Sequence, residues 1–248
     1  MHTNTVPDRA DPSVSSARTL ADRAYAALRE DVLAGRLAPA ARLKLAELQA
    51  AYGLGISPLR EALMRLAAEG LLRAEGQRGF TVGAVSLEEL RDLTATRVRL
   101  ETGALRDAIA RGDEEWEAGV VASFHRLTRT PLPTDAAAFE AANLWERRHR
   151  AFHHALVAAC GSPWTLRLAG QLADQTERYR RARLLAVRPR AALARDVDAE
   201  HRKIMDAALA RDADEAARLL GAHLARTADF VASLWGEREP ARKRRRGP

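Results

Sequence analysis

Residues 42–82 read RLKLAELQAAYGLGISPLREALMRLAAEGLLRAEGQRGFTV, and this stretch decides the fold. Leu45, Leu48 and Tyr52 recur at helical spacing and give a first helix one apolar stripe. Gly53 and Gly55 interrupt it, as the turn between two short crossed helices requires. The second helix is expected to begin with Ser57 as its cap and Pro58 in its first position, where the missing N–H is no loss. Glu61 places a carboxylate near that positive helix end. Leu59, Leu63 and Leu66 form its buried stripe, and Gly70 closes it. LLRAE and GFTV then alternate across Gly76 and Gly79 like a small hairpin.

Helix, turn, helix and hairpin, in that order, make a winged helix-turn-helix. A helix start presenting Ser57 and Arg60 suits the major groove of double-stranded DNA. Backbone N–H groups and hydroxyls hold phosphate there, and arginine reaches guanine edges. The candidate DNA-binding set is Arg42, Lys44, Ser57, Pro58, Arg60 and Arg65, with Gln77 and Arg78 at the wing tip. A plain helical hairpin with solvated arginines is the bland alternative, but it would not need cap, arginine and wing in sequence.

SPLREALMRLAAEGLL followed by a glycine-containing wing resembles the GntR family of bacterial winged-helix transcription regulators, over roughly residues 18–83. The family pattern is close to SR-x-PVREAL-x-x-L-x-x-EGL. The arginine usually found two residues before the proline is Ile56 here, so Arg60 must carry more of the reading. The resemblance implies a homodimer on a two-fold symmetric operator, and one winged helix alone contacts too few base pairs for specificity.

The 248 residues suffice for two domains. Hydrophobic content of 47% supports packed cores, while 5% aromatics with abundant alanine, leucine and arginine favours helices. No apolar run is long enough to span a membrane, and the polar, proline-bearing N-terminus has no signal core. One cysteine, Cys160, excludes an internal disulfide framework and fits a reducing cytoplasm. The net charge of +7 is unevenly placed. Residues 18–83 hold ten basic against seven acidic side chains, and the run from Arg242 to Arg246 adds five positive charges. Excess positive charge therefore sits where nucleic acid would be met.

In chain order, residues 1–17 are expected to be disordered, 18–83 to form the DNA-binding domain, 84–236 an all-α domain, and 237–248 a disordered basic tail. That tail serves either nonspecific DNA affinity or solubility. The fold expected is mainly α. Leu20, Ala24, Ala27, Leu28 and Val32 predict a helix over 18–34. Ser86 with Glu88 and Glu89 marks the next helix start. Helices are then expected at 86–94, 96–112, 113–129, 135–160, 164–186, 190–211 and 213–235, a bundle of six or seven.

The second constellation lies in that bundle. In WERRHRAFHHAL, His149 and His153 are four apart, share one helical face and can chelate one cation. His201 falls in a stripe with Ile204, Met205 and Ala208, and His223 neighbours Leu219, Leu220 and Leu224. A lone histidine in such a stripe is more often a satisfied core residue. The i, i+4 pair is either half of a metal site or a chance coincidence on a helix.

The region from about 86 to 235 resembles the FCD ligand-binding domain of the FadR-type branch of that family. Many members of that branch hold a metal with one aspartate and three histidines, in D-x-x-F-H, EH-x-x-I and a histidine of the last helix. The matching positions here are His149 with Phe152 and His153, Glu200-His201 with Ile204, and His223. His149 stands at the aspartate position, which softens the site and favours zinc or nickel over hard divalent ions. The branch's R-x-x-LE signature appears around Arg97, Arg99, Leu100 and Glu101. In relatives that arginine faces the cavity and pairs with an effector carboxylate, a task suited to a planar guanidinium. Alternatively Arg97 is an exposed arginine paired with Asp92 or Glu101, and the same holds for Arg99. Tyr179 and Arg178 offer further polar wall groups. GLGISPLREAL, WERRHRAFHHALVAACGSPW and DQTERYRRARL together are most similar to the carbon-starvation regulators that sense glutarate-type C5 acids.

Two rival readings are a metal-dependent enzyme on a small organic acid and an architectural DNA-binding protein. Arg150 follows His149 where an H-E-x-x-H enzyme would place its glutamate base, so no general base stands beside the histidines. An architectural protein would not need a neutral helical domain of some 150 residues with histidines in its apolar stripes.

Overall fold

A computed structural model describes residues 19–76, 79–131, 139–184 and 196–236. Helix α1 (Leu20–Leu33) opens with a reciprocal cap: the Thr19 hydroxyl accepts from the Asp22 N–H at 3.1 Å, and the Asp22 carboxylate accepts from the Thr19 N–H at 3.2 Å. Strand β1 (Arg42–Leu43) leads into α2 (Leu45–Tyr52) and α3 (Ile56–Ala68), and β2 (Leu72–Ala74) and β3 (Phe80–Val82) complete the wing. Gly53 ends α2 at φ +64°, a left-handed conformation that a side chain would strain. Ala24, Leu28, Leu59, Leu63, Leu66 and Leu71 are fully buried in one core with Phe80 and Val82.

Three expectations change here. Helix α3 starts at Ile56 with Gly55 as N-cap and no side-chain cap, so Ser57 and Pro58 are its second and third residues. Extended Gly55 turns the chain before Ser57 is reached, and Pro58 still falls in the first turn, whose N–H groups lack helical partners anyway. The wing is a three-stranded antiparallel sheet of order β1-β3-β2, since Arg42 pairs with Thr81 and Leu43 with Phe80. The two helices expected at 86–94 and 96–112 are one, α4 (Leu87–Arg111). No glycine or proline stands at their junction, Thr94-Ala95-Thr96, and the Thr94 hydroxyl is satisfied by the Leu90 carbonyl at 2.7 Å.

Helices α5 (Glu114–Thr128), α6 (Phe139–Val157), α7 (Pro163–Leu184), α8 (Val197–Leu209) and α9 (Ala213–Gly236) follow. Ser86 caps α4 through the Glu89 N–H at 3.1 Å, as its sequence predicts. The six helices α4–α9 enclose a second core that includes Leu105, Phe124, Phe152, Leu156, Ile204 and Leu220. Cys160 is buried in it as a small apolar group. The expected disordered ends, with the basic run, and the start of the helix expected from residue 190 lie outside the described residues.

Helix α7 joins the two parts. The Gln175 side-chain amide donates to the Glu69 carbonyl at the end of α3 at 2.8 Å. Asp174 pairs with Arg29 of α1, and Asn143 of α6 donates to Glu30 of α1 at 3.1 Å. Arg178 donates to the carbonyls of Gly83 and Ala84 at 2.6 and 2.9 Å. A Cβ on Gly83 would lie 2.9 Å from that guanidinium, so glycine there permits the clamp. The Tyr179 hydroxyl donates to Glu89 and accepts from the Ser86 N–H at 3.3 Å.

Candidate functional site

Helix α6 puts His149 and His153 one turn apart on its inner face, and α8 and α9 bring His201 and His223 against them. All four imidazoles are buried, and one ring nitrogen from each lies within 4.8 Å of the others. The His153 and His201 Nε2 atoms face each other at 3.4 Å, about the edge of a tetrahedron built on bonds of roughly 2.1 Å. Trp145 stacks on His149 at 4.7 Å between centroids, and Phe152 meets His201 edge-on at 5.2 Å. Burial within this aromatic wall pushes the His149 and His153 pKa values well below the ordinary imidazole range, and the neighbouring histidines and Arg180 add to the effect.

Neutral imidazole is the form that binds metal. The Nδ1 atoms of His149 and His153 are buried without a hydrogen-bond partner among the described residues, a cost that a bound cation removes for whichever nitrogen it takes. His223 Nδ1 lies 2.9 Å from the Glu200 carboxylate, the kind of partner that fixes the tautomer and orientation of a metal-binding ring. The residues therefore fit a divalent cation, and the donor set is nitrogen alone.

Beside His149 and His153 opens a cavity of about 400 Å³ between α4, α6 and α7. Arg97, Arg147, Arg150 and Arg180 line it with Glu101, His154, Val157 and Leu166. Arg97 is buried, donates to Glu101 at 2.7 Å and reaches the Thr176 hydroxyl at 2.8 Å. Buried Arg180 donates to Glu146 at 2.9 Å, and this carboxylate leads the acids that raise its pKa against the effect of burial. Arg150 pairs with Asp174 and also with Glu177, at 2.8 Å. Burial alone would raise the Glu177 carboxyl, but Arg150, Arg181 and Arg180 outweigh it and hold the pKa down. Asp174, also partly desolvated, is pushed up on balance.

The other residues singled out from sequence fall elsewhere. Arg99 is exposed on the outer side of α4, two residues from Arg97 and so on a different face. Arg178 and Tyr179 do not line the cavity, because their part of α7 faces the linker of residues 83–86. Glu101, Arg147, Arg150, His154 and Arg180, absent from the expected wall, do line it. Glu146 with Arg180 is a pairing across two helices that no local spacing announces.

On the outer face of α3, Ser57 and Arg60 are exposed, with Pro58 half-buried beside them. Arg42 and Lys44 are exposed nearby in sequence, at β1 and the start of α2; Lys44 pairs with Glu47 at 2.6 Å. Arg65 lies across the surface of α1 instead, donating to Asp22 at 2.8 Å and lying 4.2 Å over the Tyr25 ring, and it holds the Asp22 carboxyl below its usual range. Gln77 and Arg78 lie outside the described residues. Among the described residues, no helix is long and apolar enough to cross a membrane.

Comparison with known proteins agrees with both halves. The model of the bacterial regulatory proteins, gntR family, matches residues 20–82, and that of the FCD domain matches residues 92–226. The chain is 42% identical to the HTH-type transcriptional regulator BphR of Paraburkholderia xenovorans LB400, covering 88% of this chain and 87% of that protein. It is 37% identical to the HTH-type transcriptional repressor GlaR of Escherichia coli K12, over 81% of this chain and 90% of that one. Among solved structures, E. coli McbR/YncC superposes with a TM-score of 0.73 at 21% identity, covering 88% of this chain and 99% of that chain, a likeness of fold.

Proposed function

Because the chain belongs to the gntR family of bacterial regulatory proteins and carries an FCD domain, a DNA-binding transcription regulator rather than an enzyme, we propose that it is a cytoplasmic repressor whose helical part senses a small carboxylic acid through a bound divalent metal. It divides as residues 18–83 for DNA and 84–236 for sensing. It acts as a homodimer on a two-fold symmetric operator, like other readers whose single modules contact few base pairs.

Arg60 and Ser57 meet the major groove, Arg42 and Lys44 the flanking phosphates, and Gln77 and Arg78 the wing's contacts. Arg65 supports the fold by bonding Asp22. His149, His153, His201 and His223 hold zinc or nickel, the ions suited to an all-imidazole set. With four imidazoles already held, such an ion would take one carboxylate oxygen as an additional fifth ligand and supply a Lewis-acid anchor for it. Arg97, fixed by Glu101 and Thr176, donates to the same carboxylate. Arg147 and Arg150, two further arginines of the lining, suit a second carboxylate, so a short diacid of the glutarate type is the expected effector.

The observation that carries this reading is the position of α7. Within residues 174–181 it supplies Arg180 to the cavity wall and Asp174, Gln175 and Arg178 to the DNA-binding part and linker. Arg150, on the cavity, shares Asp174 with Arg29 of α1. A ligand carboxylate on Arg150 competes with Asp174 and so alters the grip on α1. The ligand shifts the equilibrium only by its preference for one arrangement, usually about 1–3 kcal/mol.

The test is elemental analysis of protein purified without chelator, followed by operator titration with and without glutarate. One zinc or nickel per chain and a several-fold change in operator affinity are expected. Metal-free protein that takes up neither ion, with unchanged operator affinity, would contradict the proposal.

A further inference from the structure

Helix α3 buries Leu59, Ala62, Leu63 and Leu66 completely, yet leaves Ile56 49% and Met64 54% exposed. Ile56, Arg60 and Met64 follow at four-residue intervals and share one strip of the helix, flanked by exposed Ser57 and Glu61. Scattered apolar side chains on a surface need no explanation. Two of them bracketing an exposed arginine, on the outer face of the second helix of a helix-turn-helix, are a different matter. Among the described residues, neither side chain belongs to the core of the DNA-binding part.

Of the groups that B-DNA presents in its major groove, the C5 methyl of thymine is the apolar one. Ile56 is the first residue of α3, at the end that such helices present to base edges. Its β-branched side chain has one strongly preferred rotamer in a helix, so little freedom is lost on contact. Arg60 lies one turn further, about 6 Å along the axis, or one to two base pairs. Exposed Arg42, Lys44 and Arg73 supply the positive surroundings that bring the duplex to this face.

We propose that Ile56 reads the C5 methyl of a thymine one or two base pairs from the pair read by Arg60, so that this chain selects T·A at that position, with Met64 covering the groove on the far side of Arg60. The inference rests on α3 being the groove-reading helix. It is specific to this chain, because an arginine at position 56 would favour the guanine edge instead.

The test begins by selecting duplexes from a random pool with the full-length protein. Each thymine of the selected site is then replaced by deoxyuridine, which removes the methyl alone, and affinities are compared for wild type and Ile56→Ala. One thymine per half-site is expected to lose about fourfold on replacement with wild type, the worth of one buried methyl, and nothing with Ile56→Ala. Selection with Ile56→Arg is expected to return G·C at that pair. Because position 56 is exposed, both variants are expected to melt with wild type. Equal uracil effects in wild type and Ile56→Ala, no sensitive thymine, or an unchanged site for Ile56→Arg would overturn the inference alone. Failure to select any site would instead remove the reading of α3 on which it stands.

Discussion

On α3, Arg60 stands exposed between Ile56 and Met64; on α7, Arg180 and Arg181 are buried and each is bonded to a carboxylate, Glu146 and Glu177. The same side-chain chemistry is placed under opposite rules. An exposed arginine keeps its hydrogen-bonding capacity for a partner that arrives later, and its removal should cost the free protein little. A buried one is tolerated only while paired, so its partner's removal should be felt in folding. The contrast sorts what each part of the chain contributes: contact energy at one end, and a poised network of charges at the other.

The sharpest break of that contrast is Glu146→Ala, which leaves Arg180 buried without its carboxylate. Breaking such a pair typically costs about 3–5 kcal/mol, so thermal unfolding should show a melting temperature lower by many degrees. Replacement of exposed Arg60 by Ala should instead leave the melting temperature in place and weaken operator binding by about 1–3 kcal/mol per half-site in a mobility-shift titration. Were Arg60→Ala the more destabilising of the two, the distinction between the regions would collapse.

The network between the regions comes next in size. Asp174→Asn keeps the shape but removes the charge that Arg150 and Arg29 share. Effector affinity of the isolated regulator should rise, because Asp174 no longer competes for Arg150, while the effector's influence on operator affinity, expected at about 1–3 kcal/mol, should shrink towards zero. An unchanged influence would take the relay out of α7.

Acid should act on the buried histidines and spare the DNA-reading face. The folded protein holds His149 and His153 below their unfolded pKa of about 6.5, so the unfolded chain binds more protons. The stability of metal-free protein is therefore fully present above that pH and is lost as pH falls through it. The loss should be up to about 1.4 kcal/mol per pH unit for each group, readable as midpoint shifts in urea between pH 7.5 and 5. His149→Phe should flatten that slope.

The readable features were the local ones. Leu59, Leu63 and Leu66 repeat at helical spacing, and all three are fully buried. His149 and His153 share a face by spacing alone, the apolar stripes around His201 and His223 turn those two inward and the family resemblance joins them to the pair, and the fold brings all four together. Features made by distant pairing were not readable. Strand β1 is two residues long and exists because β3 lies beside it. Glu146 and Arg180 meet across α6 and α7. Arg178 and Tyr179 look like polar wall groups on any amphipathic helix, and only the packing of α7 against the linker decides which way they face. The helix start at Ile56 was missed because a serine before a proline is a good cap wherever the backbone allows it, and here Gly55 turned the chain first.

The central claim is that the four histidines form one metal site that makes the helical part a sensor. Calorimetric titration of zinc or nickel into metal-stripped wild type, beside His153→Ala and His201→Ala, tests it most directly. The account predicts one ion per chain for wild type, a rise in melting temperature with loading, and affinity reduced at least tenfold in each variant. Wild type that binds neither ion, or variants that bind as tightly as wild type, would contradict it.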